Sequence, residues 1–139
     1  MNASINAFRT ALTNVASARG LRLEPYKGGA LRSRNIFEID TQPIFSILYV
    51  KISNSFPGFW GLTKNQLDRL QQDKTRFFVV LVARDVTNGY ILTGKEVSDK
   101  IADGTFELGK DGDYKVNENT DCSSKNSFGG LGAVISRII

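Results

Sequence analysis

The alternation of apolar and polar residues is clearest between residues 35 and 53, where it predicts two β-strands joined by a short turn. β-Branched and aromatic residues dominate both halves, and a proline lies between them. In the first strand, the period of two places Glu38 and Asp40 on one face. In the second, Lys51 ends a face that is otherwise apolar. Burying a lysine is costly unless an anion lies beside it, so we expect either a functional site or a cross-strand ion pair here.

Helices are predicted on both sides of this hairpin. Apolar residues recur at spacings of three and four over residues 3–18, which indicates an amphipathic helix. A second helix is predicted over residues 63–72. The continuous apolar run at residues 77–83 is typical of a central strand that is buried on both faces. A further strand at 90–92 and a short helix at 94–102 complete the pattern.

This order of elements predicts an α/β domain with a mixed central sheet. A chain of 139 residues is in the usual range for one domain with its own core. The apolar pattern weakens after Asp103. We therefore expect a single domain with its core over about residues 1–103 and a C-terminal extension over residues 104–139.

The composition excludes several classes of site. The chain has no histidine and one cysteine, Cys122, so histidine-based catalysis and structural zinc sites are excluded. A metal would be a hard ion with oxygen ligands, such as magnesium. A single cysteine suits the reducing cytoplasm. No run of roughly 18 apolar residues and no signal pattern is present, so we expect a cytoplasmic protein without a membrane partner.

Positive charge is concentrated near the start of the chain. The formal net charge is +4, and residues 1–37 hold six basic side chains and one acid. Two interpretations stay open: a solvated face that aids solubility, or a surface that binds phosphates. On the second interpretation, the candidate nucleic-acid-binding residues of this segment are Arg19, Arg22, Lys27, Arg32 and Arg34.

A loop rich in glycine and proline follows the hairpin at residues 54–61 and carries Phe56, Phe59 and Trp60. Aromatic side chains beside basic ones can stack on bases, and they can also cover a hydrophobic core. Both interpretations stay open, and Trp60 is the candidate for stacking.

The order of elements, with a lysine ending the third strand after an acidic second strand, resembles the PD-(D/E)XK nuclease superfamily. The resemblance covers roughly residues 1–103 and includes the stretches 50–53 and 59–66. It implies a restriction-endonuclease-like mixed sheet flanked by helices, cleavage of DNA with magnesium, and often a homodimer. Some members use a glutamine near the site. From this stretch we add two candidates for nucleic-acid binding, Lys64 and Gln66.

In that family an Asp of the second strand and a Glu-x-Lys of the third hold magnesium. Lys51 matches the lysine, and Asp40 with Glu38 are the candidate catalytic acids and metal ligands. In another register, Asn35 takes the Asp position. Tyr49 stands at the Glu position, and its neutral hydroxyl is a poor magnesium ligand. Two functions stay open: an endonuclease linked to restriction or DNA repair, and an inactive relative that binds DNA or protein.

Overall fold

Helices and strands alternate along the chain in its computed structural model, which describes residues 2–28 and 33–139. The helices are α1 (Ile5–Ala18), α2 (Lys64–Gln72), α3 (Gly94–Ala102), α4 (Glu118–Asp121) and α5 (Leu131–Ile138). The strands are β1 (Leu23–Pro25), β2 (Ile36–Asp40), β3 (Phe45–Ser53), β4 (Phe59–Thr63), β5 (Phe77–Ala83), β6 (Asn88–Thr93), β7 (Glu107–Leu108), β8 (Asp113–Asn117) and β9 (Ser127–Gly129). A short 3-10 helix spans Ser124–Asn126.

Over the described residues, the strands form a six-stranded sheet and a three-stranded sheet. The large sheet has the order β1-β2-β3-β5-β6-β9, and the small sheet has the order β4-β8-β7. β3 and β5 run parallel, while the other neighbouring strands of the large sheet are antiparallel. The predicted mixed sheet and the predicted hairpin of β2 and β3 are therefore confirmed.

β5 is the centre of the fold, and each of its residues is buried. Phe8 and Leu12 of α1, together with α5, cover one face of the large sheet. Leu67 of α2 and Val97 of α3 lie on the other face, together with the small sheet. The central strand is thus buried between helices on both faces, as its apolar run predicts.

Residues 104–139 are part of this core, so the expected boundary near residue 103 does not divide the structure. β8 pairs with β4, β9 pairs with β6, and α5 packs against α1. The carbonyl oxygen of Ile138 also accepts hydrogen bonds from Ser46 Oγ (2.9 Å) and Arg76 Nη1 (2.6 Å). The sequence pattern is weak here because β7, β8 and β9 are short and much of their surface is exposed.

None of the helices in the described ranges is long and apolar enough to cross a membrane.

Candidate functional site

The register of the β2–β3 hairpin separates Lys51 from the predicted acids. Asp40 lies opposite Phe45, and Glu38 lies opposite Ile47. At about 3.3 Å per residue, Lys51 is about 20 Å along β3 from Phe45 and about 13 Å from Ile47. Asp40, Glu38 and Lys51 share a face of the sheet, as the period of two predicts, but they lie at opposite ends of the hairpin. One metal ion cannot contact Asp40 and also lie beside Lys51.

Both acids have local backbone partners. Asp40 Oδ1 accepts a hydrogen bond from the Gln42 amide (3.1 Å), and Glu38 Oε1 accepts one from the Lys27 amide (3.2 Å). In the ranges 2–28 and 33–139, no group of three or more Asp, Glu or Cys side chains is arranged to hold a metal ion. Asp40 and Glu38 thus have structural contacts at the turn and at β1.

Asn35 lies at the Lys51 end of the hairpin instead, where it pairs with Val50. The Asn35 carbonyl accepts a hydrogen bond from the Val50 amide (2.8 Å), and Asn35 Nδ2 donates to the Val50 carbonyl (2.8 Å). This pairing corresponds to the alternative register in which Asn35 takes the Asp position. The short turn between the strands is the signal in the sequence that could have selected this register, because it forces Asp40 to pair near its own end of β3.

Tyr49 is fully buried, and its hydroxyl accepts a hydrogen bond from the Thr63 amide (3.0 Å). Burial raises the pKa of Tyr49 above its usual value, so the phenol stays neutral. Lys51 itself is half-buried, and the described part of the chain places no carboxylate within ion-pair distance of it. Tyr49, two residues before Lys51 on the same face of β3, is therefore a neutral neighbour of Lys51.

β4 crosses the face of β3 that carries Lys51. The amide of Phe59 donates to Ser53 Oγ (3.1 Å), just as the amide of Thr63 donates to Tyr49. Gly61 lies between these two anchors. A Cβ on Gly61 would lie 2.8 Å from Asp113 Oδ2, so Asp113 packs directly against this glycine. Asp113 is a carboxylate close to this crossing of β3 and β4 that the sequence analysis did not find, because it comes from β8.

A scan against protein-family models found no match, and a search of the curated proteins found none either. Among solved structures, the chain is similar to Hjc, a Holliday junction resolvase from the archaeal hyperthermophile Archaeoglobus fulgidus. The TM-score is 0.56 at 10% sequence identity, over 93% of this chain and 98% of Hjc. This chain has the restriction-endonuclease-like fold. The fold that the sequence resemblance implies is therefore confirmed.

Within the restriction-endonuclease-like fold, the predicted basic residues divide into two groups. Lys27 and Arg34 line one cleft together with Arg9 of α1. Arg19 lies at the C-terminal end of α1 beside Ser136, and Arg22 forms an ion pair with Glu24 (3.2 Å). Arg19 and Arg22 are near the end of the sheet that is remote from Lys51, since Leu23 pairs with Ile39. Arg32 lies outside the described residues.

The predicted candidates on α2 have ordinary helical surroundings. Lys64 is half-exposed and forms an ion pair with Asp68 one turn later. Gln66 is partly exposed on the same helix. Nothing in this arrangement directs either side chain toward Lys51.

Trp60 is buried and cannot stack on a base, which corrects the prediction for this residue. Its side chain is 2% exposed, and Nε1 donates a hydrogen bond to the Val82 carbonyl (3.1 Å). The cause is that β4 begins at Phe59. The period of two then turns Trp60 and Leu62 inward and leaves Phe59 outside.

Two other aromatic residues of this loop are exposed. The side chain of Phe56 is 77% exposed, and that of Phe59 is 48% exposed. The guanidinium carbon of Arg84 lies 4.9 Å from the centre of the Phe56 ring, and Lys115 Nζ lies 5.9 Å from the centre of the Phe59 ring. These are cation–π distances.

Glu118 ties this loop to the large sheet. It is 8% exposed and accepts hydrogen bonds from Arg84 (2.8 and 3.0 Å), the Gly58 amide (2.6 Å) and the Tyr90 hydroxyl (2.8 Å). The bonds from Arg84, with those from Gly58 and Tyr90, lower the pKa of Glu118 to about 2. Burial, reinforced by the bond to Glu118, raises the pKa of Tyr90 to about 12.

Proposed function

We propose that this chain binds DNA and holds a backbone phosphate with Lys51 directly, without metal-dependent cleavage. The observation that carries the proposal is that Lys51 is half-buried, that the described residues place no carboxylate within ion-pair distance of it, and that Tyr49, its neighbour on the same face of β3, is neutral. An ammonium group with no carboxylate partner is a good donor to a phosphate oxygen.

The residues around Lys51 do not fit a magnesium ion. Magnesium requires near-octahedral oxygen coordination, and proteins usually supply it with one or two carboxylates. Here Tyr49 is neutral, and Asp113, which packs against Gly61, is a single acid. We therefore assign no catalytic step to a metal at this position.

A basic cleft between α1 and the β1–β2 edge of the large sheet supports DNA as the partner. Arg9, Lys27 and Arg34 line it. Within the described residues, Arg9 and Arg34 form no ion pair, and Lys27 forms one, with Glu24 (4.0 Å). Arg34 precedes Asn35, which pairs with Val50, so the cleft extends toward the Lys51 end of the hairpin. The structural neighbour Hjc is a Holliday junction resolvase, and this also supports DNA as the partner in the proposal.

The alternative is a magnesium-dependent endonuclease linked to restriction or DNA repair. Asp113 favours it, because its carboxylate packs against Gly61, which lies on β4 between the contacts with Tyr49 and Ser53. In that case Asp113 would be a metal ligand, or Asp40 and Glu38 would act as the sequence resemblance implies.

We include a homodimer and a cytoplasmic location in the proposal. The resemblance supports the first, and the lone cysteine supports the second. Light scattering at two protein concentrations should give a mass twice that of the chain. A single-chain mass at both concentrations would remove the dimer and leave DNA binding untouched.

The test compares binding and cleavage in one set of samples. Fluorescence anisotropy measures the affinity for labelled DNA in EDTA and in magnesium, and gels record cleavage in magnesium and then manganese. We expect equal affinity with and without metal, and no cleavage. Lys51→Gln should raise the Kd about 10-fold or more, because a charged contact is worth about 1.5–3 kcal/mol.

Lys74→Gln is the matched control, because Lys74 is exposed just before β5, at the other end of the large sheet. An equal effect of both variants would show that Lys51 contributes only general charge. Cleavage by the wild type that is lost in Asp113→Asn, or in Asp40→Asn, would establish the endonuclease and identify its acid. No affinity for any DNA would overturn the proposal.

A further inference from the structure

The exposed aromatic pair, Phe56 and Phe59, has no explanation in the stability of the fold. Burying a phenylalanine side chain contributes roughly 1.5–3 kcal/mol, and Phe56 forgoes most of this at 77% exposure. The adjacent Trp60 shows that the same segment can bury an aromatic side chain fully. The exposure of Phe56 is therefore a property of the loop at residues 54–58.

This loop is held in one conformation by hydrogen bonds. Ser55 Oγ donates to the Pro57 carbonyl (3.0 Å), and Arg84 Nη1 donates to the Ser55 carbonyl (2.8 Å). The Gly58 amide donates to Glu118 (2.6 Å). A partner that contacts Phe56 therefore meets a side chain on a pre-ordered backbone, which lowers the entropic cost of binding.

The cations define which partner suits the rings. Arg84 is fixed by Glu118 and lies against one face of Phe56, so the other face is directed to solvent. Lys115 lies at a similar distance from Phe59. A nucleotide suits this arrangement, because its base can stack on the phenylalanine ring and its phosphate can contact the adjacent cation.

The pair also lies next to the proposed phosphate contact. The Phe59 amide donates to Ser53 Oγ, and Ser53 follows Lys51 by two residues on the same face of β3. A strand with a phosphate at Lys51 thus has its neighbouring nucleotides close to Phe59 and the loop.

We infer that Phe56 and Phe59 form a stacking site for unpaired bases of the strand that Lys51 contacts. This inference rests on the proposed function and specifies its substrate: DNA that contains unpaired nucleotides rather than an uninterrupted duplex. Bases inside a duplex stack on each other and cannot offer a face to Phe56.

The experiment measures the affinity for a labelled single strand and for a duplex of equal length. Base–aromatic stacking is worth about 1–3 kcal/mol per base, so Phe56→Ala should raise the Kd for the single strand about 5-fold or more. Phe59→Ala should act in the same direction. Phe56→Trp should retain the wild-type affinity, because indole also stacks. Neither alanine variant should change duplex binding.

Phe45→Ala is the matched control. Phe45 is also an exposed phenylalanine, at 51%, but it begins β3 at the opposite end of the sheet. A strand containing 2-aminopurine adds a direct signal, since stacking on Phe56 quenches its fluorescence. Thermal unfolding checks that the variants are folded.

The outcomes separate this inference from the proposed function. If Phe56→Ala weakens single-strand binding no more than Phe45→Ala does, the stacking site is wrong even though DNA binding stands. If the wild type binds neither DNA, both proposals fail. If Phe56→Ala changes the oligomeric mass and leaves the Kd unchanged, the surface contacts another protein chain and the inference is overturned.

Discussion

Asn35 Nδ2 donates a hydrogen bond to the carbonyl oxygen of Val50 over 2.8 Å, immediately before β2 begins at Ile36. A carboxylate there has no proton to donate at neutral pH, so it would face the lone pairs of the Val50 carbonyl. The amide is therefore the side chain that suits this site when no cation lies between the two oxygens.

Asn35→Asp should destabilise the chain by about 1–3 kcal/mol, because a buried acceptor is left without a donor. Manganese should return part of that stability in the variant, since an ion that binds only the folded state stabilises it. It should leave the wild type unchanged. Urea unfolding with and without manganese measures both effects, and Asn14→Asp on the exposed side of α1 is the control. Equal stabilisation of wild type and variant would contradict the neutral-site interpretation.

Glu118→Gln should show how much the buried ion pair between Glu118 and Arg84 contributes to the free energy of unfolding at each pH. The pKa of Glu118 is about 2 in the folded state and near 4.5 without these contacts. Because the folded value is the lower one, the stabilisation is present above about pH 4.5 and is lost as the pH falls through about 2. The difference corresponds to on the order of 3 kcal/mol.

Urea unfolding of wild type and Glu118→Gln should therefore differ by that amount at pH 7 and converge near pH 2. Glu107→Gln is the control, because Glu107 is an exposed glutamate on β7 of the small sheet. A difference that does not change with pH would show that Glu118 acts through packing rather than charge.

Trp60→Phe should lower stability and leave DNA binding unchanged. It removes the hydrogen bond to Val82 and part of a buried side chain, which together cost about 1–3 kcal/mol. Its neighbour gives the reverse pattern, since Phe59→Ala should weaken single-strand binding with little loss of stability. Urea unfolding and anisotropy on both variants decide this. A large rise in Kd for Trp60→Phe in the folded state would restore the sequence-based assignment of Trp60.

The salt dependence of DNA binding should come from the cleft of Arg9, Lys27 and Arg34. Each neutralised phosphate contributes about 0.9 to the slope of log K against log salt, so the triple alanine variant should flatten it by about 2 to 3. Arg19→Ala, at the other end of α1, should leave the slope unchanged. Equal slopes in all three proteins would mean that the cleft charges serve solubility alone.

Most of the strands and helices up to residue 102 could be predicted from the sequence, because each buries one face or both faces. The run at Phe77–Ala83 is apolar throughout, and it is the central strand. β4 was not predicted, because Pro57 and Gly58 indicate a loop. The strand begins at Phe59, directly after Gly58. Burial of Trp60 follows from that shift.

The site was harder to predict, because the side-chain period fixes a face and not a position along the strand. Asp40 and Lys51 satisfy the period and still lie about 20 Å apart. Asp113 and Glu118 reach the site from the last third of the chain, through pairing of β8 with β4. No local pattern contains such a contact.

The bond from Gly58 to Glu118 has a consequence for how the molecule opens. A loop amide ordinarily exchanges its hydrogen with solvent as fast as the loop moves. The Gly58 amide can exchange only when Glu118 leaves it, and Glu118 is also held by Arg84 and Tyr90 of the large sheet. Its deuterium uptake therefore reports the separation of Gly58 from Glu118, so a single loop amide measures the opening of a buried ion-pair network.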